Sequence, residues 1–177
     1  MRITGGALRG RTLHPPVNLP VRPTTDFAKT ALFNILNNYF DFEKLHVLDL
    51  FSGAGSIAYE FISRGSLSVN CIDEDLQCIN FIKKTATEMK MTNLHCIRSE
   101  VFKYINQEVR QWDIIFADPP FELEETDQLP DIIFEKNLLK EDGWLIVEHQ
   151  SKRILKCEVK PFDLRKYGNC AFSMFRK

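Results

Sequence analysis

The sequence lacks the features that would place it outside a reducing interior. It has no C-x-x-C pair, and its five cysteines (Cys71, Cys78, Cys96, Cys157 and Cys170) are odd in number, so they cannot all pair within one chain. The N-terminus has no apolar core of the kind a secretory signal needs. A cytoplasmic protein with reduced thiols and no membrane partner is expected. His14, His46, His95 and His149 lie far apart, so there is no contiguous zinc motif and no metal is expected. Repeats and low-complexity runs are lacking too, and 44% hydrophobic with 27% charged residues gives the chain no reason to stay disordered.

What is present is enough for one domain with a sizeable core, at 177 residues. The net charge of −1 hides a segregation. Residues 1–30 carry five Lys or Arg against one acid, residues 151–177 carry eight against two, and the stretch between carries ten against twenty-one. Such a weak total argues against a nonspecific polyanion binder. Basic ends converging on one face would still make a local field for phosphates, although solvated terminal charges would read the same way.

The opening "MRITGGALRGRTLHPP" alternates extended pieces with glycines, which reads as a turned hairpin holding Arg2, Arg9 and Arg11 outward. It has too little apolar surface for a core of its own. Thr24 is expected to cap a helix with Asp26 in its first turn, whose buried stripe would be Phe27, Ala31, Leu32, Ile35 and Leu36. Strand and helix then alternate: "HVLDL", helix 56–63; "LSVNCI", helix 75–90; "LHCI", helix 101–108; "WDIIFA", helix 129–139; and "GWLIVEHQ". Alternation with short loops predicts a mostly parallel sheet flanked by helices. Two further strand-like runs, around Pro161 and Gly168, are expected to close one edge as a C-terminal antiparallel hairpin.

Open parallel sheets bind ligands beyond the carboxyl ends of their strands. The first strand ends in Asp49 and continues "LFSGAGSIA", where Gly53, Gly55 and Ala58 satisfy G-x-G-x-x-G/A before a helix. Glycine lets a backbone approach a ligand closely, but a tight strand-to-helix turn wants glycine as well. The next strand ends with Asp73, at the separation where a carboxylate accepts from both hydroxyls of a ribose. Together the loops describe a nucleoside cofactor, NAD or S-adenosylmethionine. Glu74 joins the candidate contacts, although with Asp75 it also fits a solvated helix start.

The fourth strand separates the two cofactors. It runs "WDIIFADPPFE", an apolar strand into a carboxylate, two prolines and a ring. Each proline lacks an N–H and holds the residue before it extended, so the loop is stiff. Hydride transfer gives such a loop no obvious work, whereas methylating a base amine does. The lone pair of an exocyclic amine is delocalised into its ring. If the Asp118 carboxylate and Pro119 carbonyl accept hydrogen bonds from the NH2, that lone pair can turn toward a methyl donor, while Phe121 stacks on the base. Positioning the partners in line supplies much of the remaining rate, with no nucleophilic residue or metal.

"DLFSGAGS" followed by "DPPF" resembles the class I S-adenosylmethionine-dependent amino-methyltransferases. The stretches "MRITGGALRGRTLHPP", "VRPTTD" and "ALFNIL" are similar to the N-terminal signature of the RsmD family of 16S rRNA (guanine-N2)-methyltransferases, and the likeness covers nearly the whole chain. The resemblance implies a Rossmann-like seven-stranded fold, S-adenosylmethionine as cofactor, and a substrate guanine in 16S rRNA or the small-subunit particle. It implies that Phe51, Gly53 and Gly55 bend around the methionine part, Asp49 holds its amino end, Asp73 takes the ribose and Glu100 or Ser99 meets the adenine. Asp118, Pro119, Pro120 and Phe121 would form the target-base site, with Asp118 also beside the cofactor. Arg2, Arg9, Arg11, Arg22, Thr24 and Thr25 would meet RNA, with Asp26 near the cofactor entrance. Phe27 stands where the family tends to have arginine, so Lys29 is a candidate for that contact. Residues 1–22 would then be a basic RNA-contacting extension and 23–177 the methyltransferase domain, acting as a monomer. An adenine or cytosine amino-methyltransferase and a non-catalytic assembly factor are the alternatives; the intact D-P-P-F disfavours the second, and the first more often carries a separate reading domain.

Overall fold

The structure, a computed structural model, describes residues 1–17, 19 and 25–177. Its seven strands are β1 (His46–Leu50), β2 (Ser68–Asp73), β3 (Leu94–Arg98), β4 (Trp112–Ala117), β5 (Leu139–Gln150), β6 (Asp163–Tyr167) and β7 (Cys170–Arg176). They lie in one sheet in the order β3-β2-β1-β4-β5-β7-β6. The first five are parallel; β7 runs antiparallel between β5 and β6. The chain therefore steps outward from β1 to β3, then returns to lay β4 on the other side of β1. That reversal opens a crevice at the carboxyl ends of β1 and β4.

Five helices cover the two faces: α1 (Asp26–Leu36), α2 (Ser56–Ser63), α3 (Leu76–Glu88), α4 (Val101–Gln107) and α5 (Leu129–Glu135). Side chains alternate across a strand, so each strand feeds both cores. Val47, Ile114, Phe116 and Ile146 pack with α1, α2 and α3, while Leu48, Leu50, Ile115 and Val147 pack with α4 and α5. Each fully buried aliphatic side chain contributes roughly 1.5–3 kcal/mol. The central strands are thus fixed from both sides, and their carboxyl ends form a rigid platform.

The sequence-based elements need four corrections. Thr24 lies outside the described residues, and the α1 cap is Thr25, whose hydroxyl accepts from Ala28 N–H at 3.2 Å. The buried stripe of α1 is Ala28, Lys29, Leu32, Phe33 and Leu36, so Phe27 faces outward, 72% exposed. Helix α5 stops at Glu135, where Asn137 takes a left-handed φ of 56°. β5 then begins at Leu139, four residues before the expected "GWLIVEHQ". Gly143 permits this: a Cβ there would lie 2.8 Å from the Lys140 carbonyl and 3.0 Å from that of Trp112.

The opening segment is a hairpin with one bridge, Arg2 to Thr12, and Ile3 N–H donating to Arg11 at 2.9 Å. It has no core of its own but lends Ile3 and Leu13 to the α1–α3 side. Its turn lies against the end of α2. A Cβ on Gly6 would overlap the Ser63 carbonyl, and Gly6 has a φ of +74°. Gly6 therefore serves a close backbone approach, while a Cβ on Gly5 would meet the Arg64 guanidinium. The expected boundary at residues 22 and 23, and with it Arg22, lies outside the described residues.

Candidate active site

The loop after β1 turns sharply, with left-handed φ at Phe51 (60°), Gly53 (51°) and Gly55 (81°). An aromatic residue in that region costs of order 1–3 kcal/mol, and such strain clusters at functional sites. Gly55 is required by the protein's own packing, because a Cβ would lie 2.9 Å from the Tyr59 ring and 3.0 Å from Ile82. The second loop locks onto the first: Asp73 accepts from Gly53 N–H at 2.7 Å with one oxygen and from Asp75 N–H at 2.9 Å with the other. Asp75 in turn caps α3, accepting from Gln77 and Cys78.

Asp49 is buried at 2% exposure, and its Oδ2 has no hydrogen-bond partner among the described residues. Burial pushes its carboxyl well above the ordinary range; the Ala58 N–H opposes this and the nearby Asp73 carboxylate adds to it. Burial likewise raises the Asp73 carboxyl, against the pull of its backbone N–H donors. Two carboxylates held in a cleft with one orphaned oxygen suit a cationic ligand that also carries hydroxyls. The aminoacyl ammonium and ribose of S-adenosylmethionine have this pattern, so these residues fit that group.

The loop after β4 forms the other half. Asp118 still donates its N–H to Leu50 at 3.4 Å, so it remains tied to the sheet as the chain leaves it. Beyond it, Arg153 braces the turn. Its guanidinium donates to the carbonyls of Phe121 and Leu123 and to the Asp127 carboxylate, each at 3.1 Å. Three bonds from one planar fork fix the backbone behind Phe121. Beside it, His149 is buried, with Nδ1 against the Gln150 carbonyl at 2.9 Å and Nε2 against Ser173 Oγ at 2.8 Å. A carbonyl only accepts, so Nδ1 carries the proton. Burial, then the Arg153 and Lys166 charges, hold this imidazole below its ordinary pKa, which keeps it neutral and structural.

These loops share one cavity of about 1710 Å³. Ordinary small-ligand pockets hold roughly 300–1,000 Å³, so there is room for a cofactor and a base together. Asp49, Phe51, Gly53, Asp73, Glu74 and Glu100 line one part; Asp118, Pro119, Pro120 and Phe121 line another, with Thr25 at its wall. Both Glu100 oxygens already cap α4, accepting from Phe102 and Lys103 at 2.7 Å. Arg2, Arg9 and Arg11 lie outside the cavity on the exposed hairpin. Lys29 is not a substrate contact. It is 1% exposed and donates to the Arg2 carbonyl at 2.6 Å and Ser56 Oγ at 3.2 Å, with Glu60 at 3.5 Å.

Sequence reasoning missed four residues here. Phe27 reads as a core position of its helix; in the fold it meets Tyr167 edge-on, ring centroids 5.9 Å apart, and the pair walls the cavity. Glu148 lies inside a run that reads as plain strand, yet it lines the same cavity. Arg153 reads as an ordinary loop cation. Only the distance from "DPPF" to "HQSKR" through space, invisible in the sequence, reveals its role.

The family model described as conserved hypothetical protein 95 matches residues 1–176. Ribosomal RNA small subunit methyltransferase D from Buchnera aphidicola subsp. Baizongia pistaciae is 34% identical, over 74% of this chain and 66% of its own. The Escherichia coli protein of the same name is 33% identical over 84% of this chain and 71% of its own. A crystal structure of an RNA methyltransferase from Salinibacter ruber in complex with S-adenosyl-L-homocysteine superposes with a TM-score of 0.70 at 14% identity, covering 88% of this chain and 93% of that one.

Proposed function

Since the chain belongs to the RsmD family, we propose that it transfers a methyl group from S-adenosylmethionine to the exocyclic N2 amine of a guanine in 16S rRNA of the small ribosomal subunit. The observation that carries this reading is the cavity itself: the carboxylates suited to a nucleoside cofactor and the braced D-P-P-F loop open into one space. Relatives named as small-subunit rRNA methyltransferases support the substrate class. When bound, S-adenosylmethionine supplies an electrophilic methyl carbon on a positively charged sulfur.

Asp49 takes the cofactor's ammonium, and Asp73 accepts from its ribose hydroxyls using lone pairs beyond those spent on Gly53 and Asp75. Phe51 and Gly53 shape the turn around its methionine end, with Glu74 at the ribose rim. Glu100 acts on the adenine side by holding the start of α4 in place. Asp118 and the Pro119 carbonyl accept from the guanine NH2, turning its lone pair toward the methyl group. With the methyl group supplied by S-adenosylmethionine, Asp118 would lie in the direction in which N2 gives up one proton. Phe121 stacks on the base, worth roughly 1–3 kcal/mol. Arg2, Arg9 and Arg11 meet RNA phosphates, and Arg22 and Thr24 join them by family resemblance. Residues 1–22 thus serve as the RNA-contacting extension of a catalytic unit, 23–177, that works as a cytoplasmic monomer.

The test is to incubate the protein with methyl-labelled cofactor and small-subunit particles lacking the modification, then digest the RNA to nucleosides. Label in N2-methylguanosine is expected. Label in a methylated adenine or cytosine, or none, contradicts the reading.

A further inference from the structure

One buried carboxylate in the cavity is not used by the reaction described above. Glu148 is 4% exposed, lines the cavity, and stands near the end of β5, the strand next to β4. The register fixes its neighbour. Phe116 pairs with Ile146 and Ala117 with Val147, so the next step along both parallel strands sets Asp118 beside Glu148. Phe116 and Ile146 pack on the α1–α3 side, and alternation returns Asp118 and Glu148 to that same side. Neighbouring strands lie about 4.8 Å apart. The two carboxylates therefore form an adjacent pair on one face.

From this pair we infer that Glu148 selects guanine by accepting a hydrogen bond from its ring N1–H while Asp118 accepts from the N2 amine; the inference rests on the guanine-N2 reading. Guanine carries the two donors side by side, N1–H next to N2–H2. Adenine and cytosine instead set an unprotonated ring nitrogen beside their exocyclic amine. A second carboxylate next to the amine site attracts the guanine edge and repels the lone pair of the other two. The Cys170 thiol, on the neighbouring strand β7, lies beside Glu148 and donates its proton to the Tyr167 carbonyl at 3.4 Å. A carboxylate has about four acceptor directions, so a base N–H fits on Glu148 beside its protein contacts. A buried site built to meet a donor rejects an analogue without it by far more than an apolar pocket rejects a missing methylene.

The test compares guanine with 2-aminopurine, which keeps the 2-amine but has no N1–H, at the methylated position of 16S rRNA assembled into small-subunit particles. Single-turnover methylation with saturating S-adenosylmethionine is measured for the parent, Glu148→Gln and Glu148→Asp. The parent is expected to prefer guanine by about 10³-fold or more. Glu148→Gln should cut that ratio at least about a hundredfold, because its amide can donate to the bare nitrogen of 2-aminopurine. Glu148→Asp should keep the preference at a lower rate, and calorimetric cofactor affinity should be unchanged in both, which certifies folding. An unchanged ratio in Glu148→Gln, with the parent methylating guanine N2 normally, overturns the role of Glu148 alone. No guanine methylation by the parent removes both readings.

Discussion

At the scale of single residues the site depends on carboxylates placed where solvent would not leave them. Asp49 is the clearest case: buried, raised, and with an oxygen that has no hydrogen-bond partner among the described residues. A carboxyl raised in the folded state binds protons more readily there than when unfolded, where its value is about 3.9. Its ionisation therefore opposes folding above the raised value, and the penalty is absent below about 3.9. Asp49→Asn should accordingly raise the melting temperature of the cofactor-free protein, by roughly 2–4 °C per kcal/mol recovered in a chain of this size. The same change should weaken S-adenosylmethionine, since the ammonium loses its counter-charge. In the parent, affinity should fall as pH drops through the raised Asp49 value; calorimetry across pH should find that dependence flattened in Asp49→Asn. Asp73→Ala should weaken the cofactor by about 1.5–3 kcal/mol, roughly ten- to a hundredfold. Unchanged affinity in a folded variant would remove Asp73 from the site.

At the scale of elements, the order of strands and helices was legible because each strand is an apolar run ended by a polar loop and each helix carries its own period. "HVLDL" and "WDIIFA" became β1 and β4, and residues 56–63 became α2 with the expected bounds. What sequence could not show was the direction of α1. Its apolar positions recur in two overlapping stripes, and only the buried Lys29–Glu60 contact selects the one that turns Phe27 out. That contact ties the opening hairpin, through the Arg2 carbonyl, to α1 and to the start of α2. Lys29→Met should cost about 3 kcal/mol in urea unfolding, because Arg64 still faces Glu60 and offsets part of the loss. Adding Glu60→Gln should recover much of it. Arg153 acts between elements as well, reaching from the segment after β5 to the loop after β4. Arg153→Ala should raise the RNA concentration needed for half-maximal methylation several-fold and slow transfer, while cofactor affinity stays constant. A parental rate would make the brace decorative.

At the scale of the whole molecule, the start of α1 meets the C-terminal hairpin beside the cavity. The Phe27–Tyr167 contact joins the start of α1 to the β6–β7 turn at the wall of the cavity. Segregated charge was readable in the sequence; the meeting of Phe27 with Tyr167 depended on β7 inserting between β5 and β6, which composition does not encode. Ile3 and Leu13 are core residues, so removing the hairpin would unsettle the domain. Replacing Arg2, Arg9 and Arg11 together with Gln is the cleaner change. It should lower the slope of log affinity against log salt by about 2, at 0.7–0.9 per phosphate contact, and leave cofactor binding intact. An unchanged slope would show the hairpin to be structural only. All of this serves one claim, that a carboxylate at the end of β4, held before two prolines, drives methyl transfer to an amine. Single-turnover methylation of unmodified small-subunit particles with saturating S-adenosylmethionine tests it most directly. Asp118→Ala should fold and hold cofactor but transfer methyl groups orders of magnitude more slowly, with Asp118→Asn in between. Transfer by Asp118→Ala at the parental rate would reduce D-P-P-F to a rigid turn and contradict the account.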